Sequence, residues 1–389
     1  MTTGPVVGII GGGQLARMLA EAATPLGIHV RVLAAPGDEG AAEVVPDVVI
    51  GSPGDAEVLR SFASSVDVVT FDHENVDHDL LRELEAAGVA VRPAVATLEY
   101  SDKAHQRRRF ADAGIPVPDF VVVDGGSEQD VEVVADFAAR AHGGEVVVKT
   151  SRGGYDGRGV WMLDGDELRE FVGGWGGAPL VVEPKLQLRS ELAVLIARRT
   201  SGEVASWPVL ETVQVDGKCN EVLLPAPVDG DVREQARRIG ERVADVIDIT
   251  GVVAVELFVV DPDDTGPRLL VNEIAPRVHN SGHLTIEASA TSQFEQHLRA
   301  ILDWPLGPTD VVSAAAMANV VGNGVDEPRS RQALALAVVP GANVHLYGKA
   351  PRAERKVGHV TVVGADLATV RRDAGMAAEL LSGVGGSVP

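Results

Sequence analysis

The chain has 389 residues, 45% hydrophobic and 23% charged, which excludes a disordered or collagen-like polymer and predicts about two to four buried cores. Its 34 Lys+Arg are outnumbered by 56 Asp+Glu, and a formal net charge of −22 argues against a general nucleic-acid binder, which needs clustered cations for phosphates. Of those cations 28 are Arg and only 6 are Lys, so each lysine is worth locating.

Along the first hundred residues, β-branched runs at 6–10, 29–33, 47–50, 66–71 and 89–91 predict strands. The apolar spacing at 14–23, 55–64 and 79–87 predicts amphipathic helices between them. Such alternation implies a parallel sheet with right-handed crossovers, an open α/β domain. Gly114-Ile115-Pro116-Val117-Pro118 breaks the pattern and predicts an extended connector. Strands at 120–123, 145–149, 160–163 and 179–185, with helices at 127–141 and 166–172, then predict a small α+β unit. From Ser190 onward, long alternating segments and the turn signal Asp263-Asp264-Thr265-Gly266 predict a mainly antiparallel sheet with flanking helices. A single Cys219 points to a reducing compartment. With neither a basic leader nor an uninterrupted apolar span, a cytoplasmic protein without a membrane partner is expected.

Gly11-Gly12-Gly13-Gln14-Leu15-Ala16 follows a strand and opens a helix, the G-x-G-x-x-A pattern that lets backbone N–H groups approach a phosphate. A nicotinamide dinucleotide would also need an acid ending the second strand, and none occurs before Asp38. An anionic ligand of another kind, or a plain tight turn, is expected there. Glu74, at the carboxyl edge of the fourth strand, is placed to meet sugar hydroxyls or to remain a loop acid. Lys149 ends a buried strand before a loop with four glycines and two arginines. That loop fits a mobile cover over a phosphoryl group; an ordinary hairpin would leave the lysine unexplained. Glu183-Pro184-Lys185-Leu186 leaves another apolar strand as a connector suited to reading adenine, while Gln106-Arg107-Arg108-Arg109 reads as a solvated helix face.

Glu256 and Glu273 interrupt the apolar runs 252–260 and 269–275. Two buried like charges demand a cation, and with Asn272 beside them the all-oxygen set suits Mg²⁺ shared with nucleotide phosphates. The alternative is a pair of acids bridged to arginines or facing solvent. Arg277, His279, Asn280, Ser281 and His283 follow as a dense polar cluster; Arg277 can hold a planar carboxylate or phosphate, and no nucleophile elbow surrounds Ser281. Near the end, Lys349, Arg352, Arg355 and Lys356 form either a phosphate pocket or a basic hairpin tip balancing nearby acids.

Four motifs in order are Gly-Gly-Gln-Leu-x-x-Met at 12–18, Gly-Gly-Tyr-Asp-Gly-Arg-Gly at 153–159, Asn-Glu-x-Ala-Pro-Arg-x-His-Asn-Ser-Gly-His at 272–283 and Arg-Lys-x-Gly-His at 355–359. With them the chain resembles the ATP-grasp carboxylate–amine ligases over essentially its whole length, and within these the 5-(carboxyamino)imidazole ribonucleotide synthase family of purine biosynthesis. The resemblance implies an α/β and α+β ATP-grasp architecture: an open α/β domain over 1–115, a lid over 116–188, and a larger mainly antiparallel domain over 189–389. It implies ATP held by Lys103, Lys149, Gly153, Gly154, Tyr155, Asp156, Gly157, Glu183, Pro184, Lys185, Leu186, Glu191, Gln214, Asn272 and Glu273. Mg²⁺, with Mn²⁺ as a substitute, would sit on Glu256 and Glu273. 5-Aminoimidazole ribonucleotide would meet Gly13, Gln14, Leu15, Glu74, Tyr155, Arg158, Asn280, Ser281, Lys349, Arg355 and Lys356. Arg277 would hold bicarbonate, His279 and Asp156 would move protons, and Tyr155 and Arg158 would close over the substrate.

The implied reaction is bicarbonate activation to carboxyphosphate and capture by the amine, in a homodimer. Gln214 departs from a histidine common in the family and Glu354 from a glycine usual before Arg-Lys; neither belongs to the metal pair, so activity is expected to persist. A ligase joining formate to glycinamide ribonucleotide and a silent nucleotide-binding module are the alternatives.

Overall fold

Which apolar runs can be covered, and by what, decides the layers. The computed structural model describes residues 4–154, 158–261, 267–325 and 327–383. Strands β1 (Val6–Ile10), β2 (His29–Ala34), β3 (Val48–Ile50) and β4 (Val68–Phe71) form a parallel sheet in the order β3-β2-β1-β4. Helices Gln14–Ala23, Ala56–Ala63 and His78–Ala86 connect them. The second and third begin where Asp55 and Asp77 accept the N–H groups two and three residues on. The fifth strand predicted at 89–91 contributes only an isolated bridge, Val91 to Val69, because Pro93 has no N–H with which to extend the ladder.

A second, antiparallel sheet has the order β5-β8-β6-β7, from β5 (Val121–Val123), β6 (Val146–Thr150), β7 (Val160–Leu163) and β8 (Leu180–Pro184). Helices Glu128–Arg140 and Gly165–Gly173 cover one face, with Val134, Leu168 and Val172 packed on Val146, Val148, Leu180 and Val182. This unit has a core of its own.

The third sheet, also antiparallel, comprises β9 (Leu188–Arg198), β10 (Val204–Ser206), β11 (Leu210–Val215), β12 (Lys218–Leu224), β13 (Gly251–Val260), β14 (Arg268–Ala275), β15 (Ala314–Val321), β16 (Ala342–Leu346) and β17 (Lys356–Gly364). Its order is β14-β13-β9-β11-β12-β15-β17-β16, with β10 also beside β9. The turn signal at 263–266 falls outside the described residues. Both faces of β9 are covered, so it reads as a continuous apolar run. Leu192, Val194 and Ile196 pack with Ala236 and Val243 of helix Gly230–Val246. Ala193, Leu195 and Ala197 belong to a cluster with Phe294 and Leu298 of helix Gln293–Ile301 and with Leu15 and Leu19 of the first helix. The N-terminal sheet is thus welded to the large one, while the lid stands on a separate core. Among the described residues no helix is long and apolar enough to cross a membrane.

Candidate functional site

Strand alternation explains how the acids meet. On β13, Val252 and Ala254 face one side and Val253, Val255 and Leu257 the other, so Glu256 shares the side of Ala254. On β14, Leu269 and Val271 face the second side, yet so does Ile274, three residues on. A β-bulge resolves the parity: the register passes from Leu257↔Val271 to Glu256↔Glu273, leaving Asn272 as the extra residue. Asn272 and Glu273 thereby come to one side instead of opposing ones. Glu191 joins them, two residues before Ala193, which pairs with Glu256.

Burial, with the negative charges of Glu273 and Glu191, pushes the Glu256 pKa up to about 8. Burial likewise raises Glu191 to about 7, although its side chain is hydrogen-bonded to Gln214. Burial also opposes the charge of Glu273, but Lys103 at 3.1 Å and Lys149 outweigh it and hold that carboxylate below its usual range. Two directly opposed carboxylates with an amide oxygen alongside fit a hard divalent cation. Among the described residues no group of three or more His, Cys, Asp or Glu could enclose a metal alone. The remaining ligands of such a cation would be phosphate oxygens and water.

Lys149 leaves β6 into a saturated network. Its Nζ lies 2.7 Å from Glu183 Oε2, donates to Asn272 Oδ1 at 3.0 Å and sits 5.7 Å from the Phe258 ring centroid. The other oxygen of Glu183 accepts from Arg107 Nε at 2.5 Å. Burial works against the Glu183 charge, but the two cations win and its pKa falls to about 2; burial lowers Lys149 in turn, against the pull of Glu183. Two expectations change here. Arg107 and Gln106 are buried, not a solvated face: of the run 106–109, helix Lys103–Asp112 turns only Arg108 and Arg109 outward. The Glu183 side chain is committed to Lys149 and Arg107, so it is not free for a ribose; its contribution there is to hold a lysine in place. Lys185 Nζ pairs with Glu145 at 3.0 Å, while Pro184 ends β8 and Leu186 follows in the connector.

The turn after β14 is held from three sides. Arg277 Nε lies 2.9 Å from Glu74 Oε2, an ion pair between the large and N-terminal domains. His279 Nδ1 faces Ser281 Oγ at 2.9 Å and accepts the Ser281 N–H at 3.3 Å, so the ring proton resides on Nε2, 3.3 Å from Glu256 Oε1. Burial, with the nearby charges of Arg277 and Lys356, lowers the His279 pKa to about 4, so the ring is neutral at pH 7. Asn280 and Asn319 exchange amide bonds at 3.0 and 2.9 Å, and Ser281 is fully buried. Ser281 therefore braces the turn instead of lining the cleft, a correction to its expected role. Two residues outside the expected set support this turn. Gln293 accepts from the His279 N–H at 2.9 Å and donates to its C=O at 2.7 Å, and a Cβ at Gly282 would stand 2.3 Å from Gln293 Oε1. Asn319 is the second.

At the glycine turn, Gly13 and Ala16 donate to the Asp72 carboxylate at 2.7 and 3.1 Å, and Gly12 donates to Asp38 at 3.1 Å. These amides hold the chain's own acids, which corrects the expectation that they cradle a ligand anion. A Cβ on Gly13 would lie 2.3 Å from Asp72 Oδ2. Leu15 points into the core, so its side chain does not reach a ligand. Gln14 accepts from Lys349 Nζ, and Arg355 Nη1 donates to Glu39 at 2.6 Å. Lys356 opens β17, and its charge reaches both Glu256 and His279. Glu354 takes the left-handed conformation, φ 62°, that glycine favours, and pairs with Lys218 at 3.0 Å. The charge of Arg158 reaches Glu354, bringing the lid loop near this hairpin. Gly153 has φ 76°, and a Cβ on Gly154 would lie 2.8 Å from the Arg158 carbonyl. Tyr155, Asp156 and Gly157 lie outside the described residues.

Three family models match in chain order: the ribonucleotide synthetase preATP-grasp domain over residues 2–102, the ATP-grasp domain over 108–294, and the phosphoribosylaminoimidazole carboxylase C-terminal domain over 315–373. The N5-carboxyaminoimidazole ribonucleotide synthase of Mycobacterium tuberculosis is 47% identical, over 97% of this chain and 88% of its own. The structure of carboxyaminoimidazole ribonucleotide synthase from Aspergillus clavatus complexed with ATP matches with a TM-score of 0.88 at 31% identity, covering 99% of this chain and 100% of that one. A second structure from A. clavatus, in complex with ADP and 5-aminoimidazole ribonucleotide, gives 0.87 at 30%, covering 98% and 99%. With this architecture and these acidic strands, the chain belongs to the N5-carboxyaminoimidazole ribonucleotide synthase family of ATP-grasp enzymes.

Proposed function

We propose that this chain is a C–N bond-forming ligase that joins bicarbonate to 5-aminoimidazole ribonucleotide at the expense of ATP. The products are N5-carboxyaminoimidazole ribonucleotide, ADP and phosphate, a step of de novo purine biosynthesis. The opposed pair Glu256 and Glu273, with Lys103 and Lys149 facing Glu273, carries the reading. Glu256 and Glu273 would hold Mg²⁺ or Mn²⁺, which supplies charge neutralisation at the phosphoryl oxygens. We assign residues 1–115 to the ribonucleotide, 116–188 to the lid and 189–389 to the metal and substrate-phosphate region.

Bicarbonate is a poor electrophile, so its carboxyl carbon must be activated. A bicarbonate oxygen attacks the γ-phosphorus of ATP, the bond to ADP breaks, and carboxyphosphate results. The 5-amino nitrogen then bonds to the carboxyl carbon, phosphate leaves, and the nitrogen gives up a proton. Arg277, anchored by Glu74, orients bicarbonate. Lys149, fixed by Glu183 and Asn272, and Lys103 stabilise charge on the transferring group. The neutral His279 ring orients Glu256, and Asp156 is the candidate acceptor for the amine proton. Glu191 and Gln214 serve the ribose side, and Tyr155 and Arg158 close over the substrate, excluding water from the labile intermediate. A cytoplasmic homodimer completes the reading.

The test is ADP release with MgATP, adding or omitting bicarbonate and the aminoimidazole ribonucleotide separately. Release that requires both, with a carboxylated product, is expected. ADP release without bicarbonate dependence and without that product defeats the proposal, and substitution of formate and glycinamide ribonucleotide examines the nearest rival.

A further inference from the structure

We propose that Glu39 is a built-in competitor for the substrate-phosphate pocket, occupying the anion position offered by residues 350–355 until a ribonucleotide displaces it. The inference rests on the assignment of Lys349, Arg355 and Lys356 to the ribonucleotide phosphate. Glu39 lies between β2 and β3, far in sequence from the hairpin it meets. Its Oε2 accepts from the Ala350 N–H at 2.9 Å and from Arg355 Nη1 at 2.6 Å. A backbone N–H and a guanidinium converging on one oxygen is also the donor set that a phosphate monoester takes. The neighbouring Asp38 is engaged with the Gly12 and Ala35 amides, so of these two adjacent acids Glu39 is the one bonded to the hairpin.

Exposure makes the contact exchangeable. The Glu39 and Arg355 side chains are each 29% exposed, unlike the sealed Glu183 pair. A phosphate brought to Arg355 meets the Glu39 charge and is repelled unless that carboxylate swings away. Inorganic phosphate, a product of the proposed reaction, has only its own charge with which to displace it. A ribonucleotide has base and ribose contacts elsewhere in the cleft as well. Glu39 thus acts as a specificity residue, keeping small anions out of a basic pocket while admitting the substrate.

The rival role, a brace that orients Arg355, predicts the opposite sign. Glu39→Gln and Glu39→Ala in the full chain are titrated with inorganic phosphate by calorimetry, and KM for the aminoimidazole ribonucleotide is measured with ATP and bicarbonate saturating. Both variants are expected to bind phosphate about tenfold more tightly than the wild type and to show a lower ribonucleotide KM, with KM for ATP within about twofold. Unchanged phosphate affinity, or a raised ribonucleotide KM, overturns the inference. If the wild type shows no ribonucleotide-dependent turnover, the functional reading fails instead, and the phosphate titration still decides the role of Glu39.

Discussion

Lys149 and Arg355 each meet a carboxylate, at 2.7 and 2.6 Å, yet the two contacts teach different lessons. The first lies in the interior: Lys149 is 10% exposed, its partner Glu183 3% and the second cation Arg107 1%. The second lies where solvent reaches both partners. Removing one member of a buried pair strands a desolvated charge at about 3–5 kcal/mol, whereas exposed pairs contribute at most about 1 kcal/mol. Distance does not separate these cases; burial does. Around Lys149 charges are spent on fixing a lysine, and at Arg355, on our proposal, they remain open to exchange for a ligand.

The largest expected effect tests the buried end. Glu273→Gln keeps the shape but removes the charge facing Glu256 and Lys103, and ADP release should fall on the order of 10³-fold in a protein with unchanged circular dichroism. Activity within tenfold of wild type would remove the metal role. Next is Glu183, whose folded pKa of about 2 lies below its ordinary 4.5. A depressed acid stabilises the fold above its unfolded pKa, by roughly 3 kcal/mol here, and loses that contribution as pH falls from about 4.5 toward about 2. In urea unfolding, the gap between wild type and Glu183→Gln should narrow by roughly 1 kcal/mol between pH 6 and pH 3.5. A gap independent of pH would contradict the paired geometry. The smallest effect belongs to the exposed end. Glu354→Gly trades an exposed bond to Lys218 for relief of a left-handed backbone, so Tm should move by less than about 3 °C and ribonucleotide KM by less than about twofold. A tenfold rise in KM would mean that Glu354 shapes the pocket directly.

The same division sets what the sequence could disclose. Glu256 and Glu273 stood out because each interrupts an apolar run, whereas the bulge that unites them emerges only from the strand register, which puts Val271 and Ile274 on one side. Helix starts at Asp55 and Ser127 were equally local, since each cap accepts from amides only two or three residues away, while the helix expected from residue 79 begins one residue earlier, after the Asp77 cap. Arg107 was not legible: within a run of three arginines nothing distinguishes the one whose partner lies 76 residues on. Gln293 and Asn319 carried no signal, being uncharged amides whose role arises only when two distant elements pack. The amides of the glycine turn looked free for a phosphate because Asp72 and Asp38, which fill them, reach them only through tertiary structure. Lys218, the lysine with no expected role, is paired with the unusual Glu354.

The most direct test of the central claim follows an oxygen atom. If bicarbonate attacks the γ-phosphorus, turnover with ¹⁸O-bicarbonate must pass one labelled oxygen into inorganic phosphate as carboxyphosphate is broken by the amine. Labelled phosphate formed together with carboxylated ribonucleotide is the predicted result. Phosphate whose added oxygen comes from water, with the carboxylated product still formed, would contradict activation through carboxyphosphate.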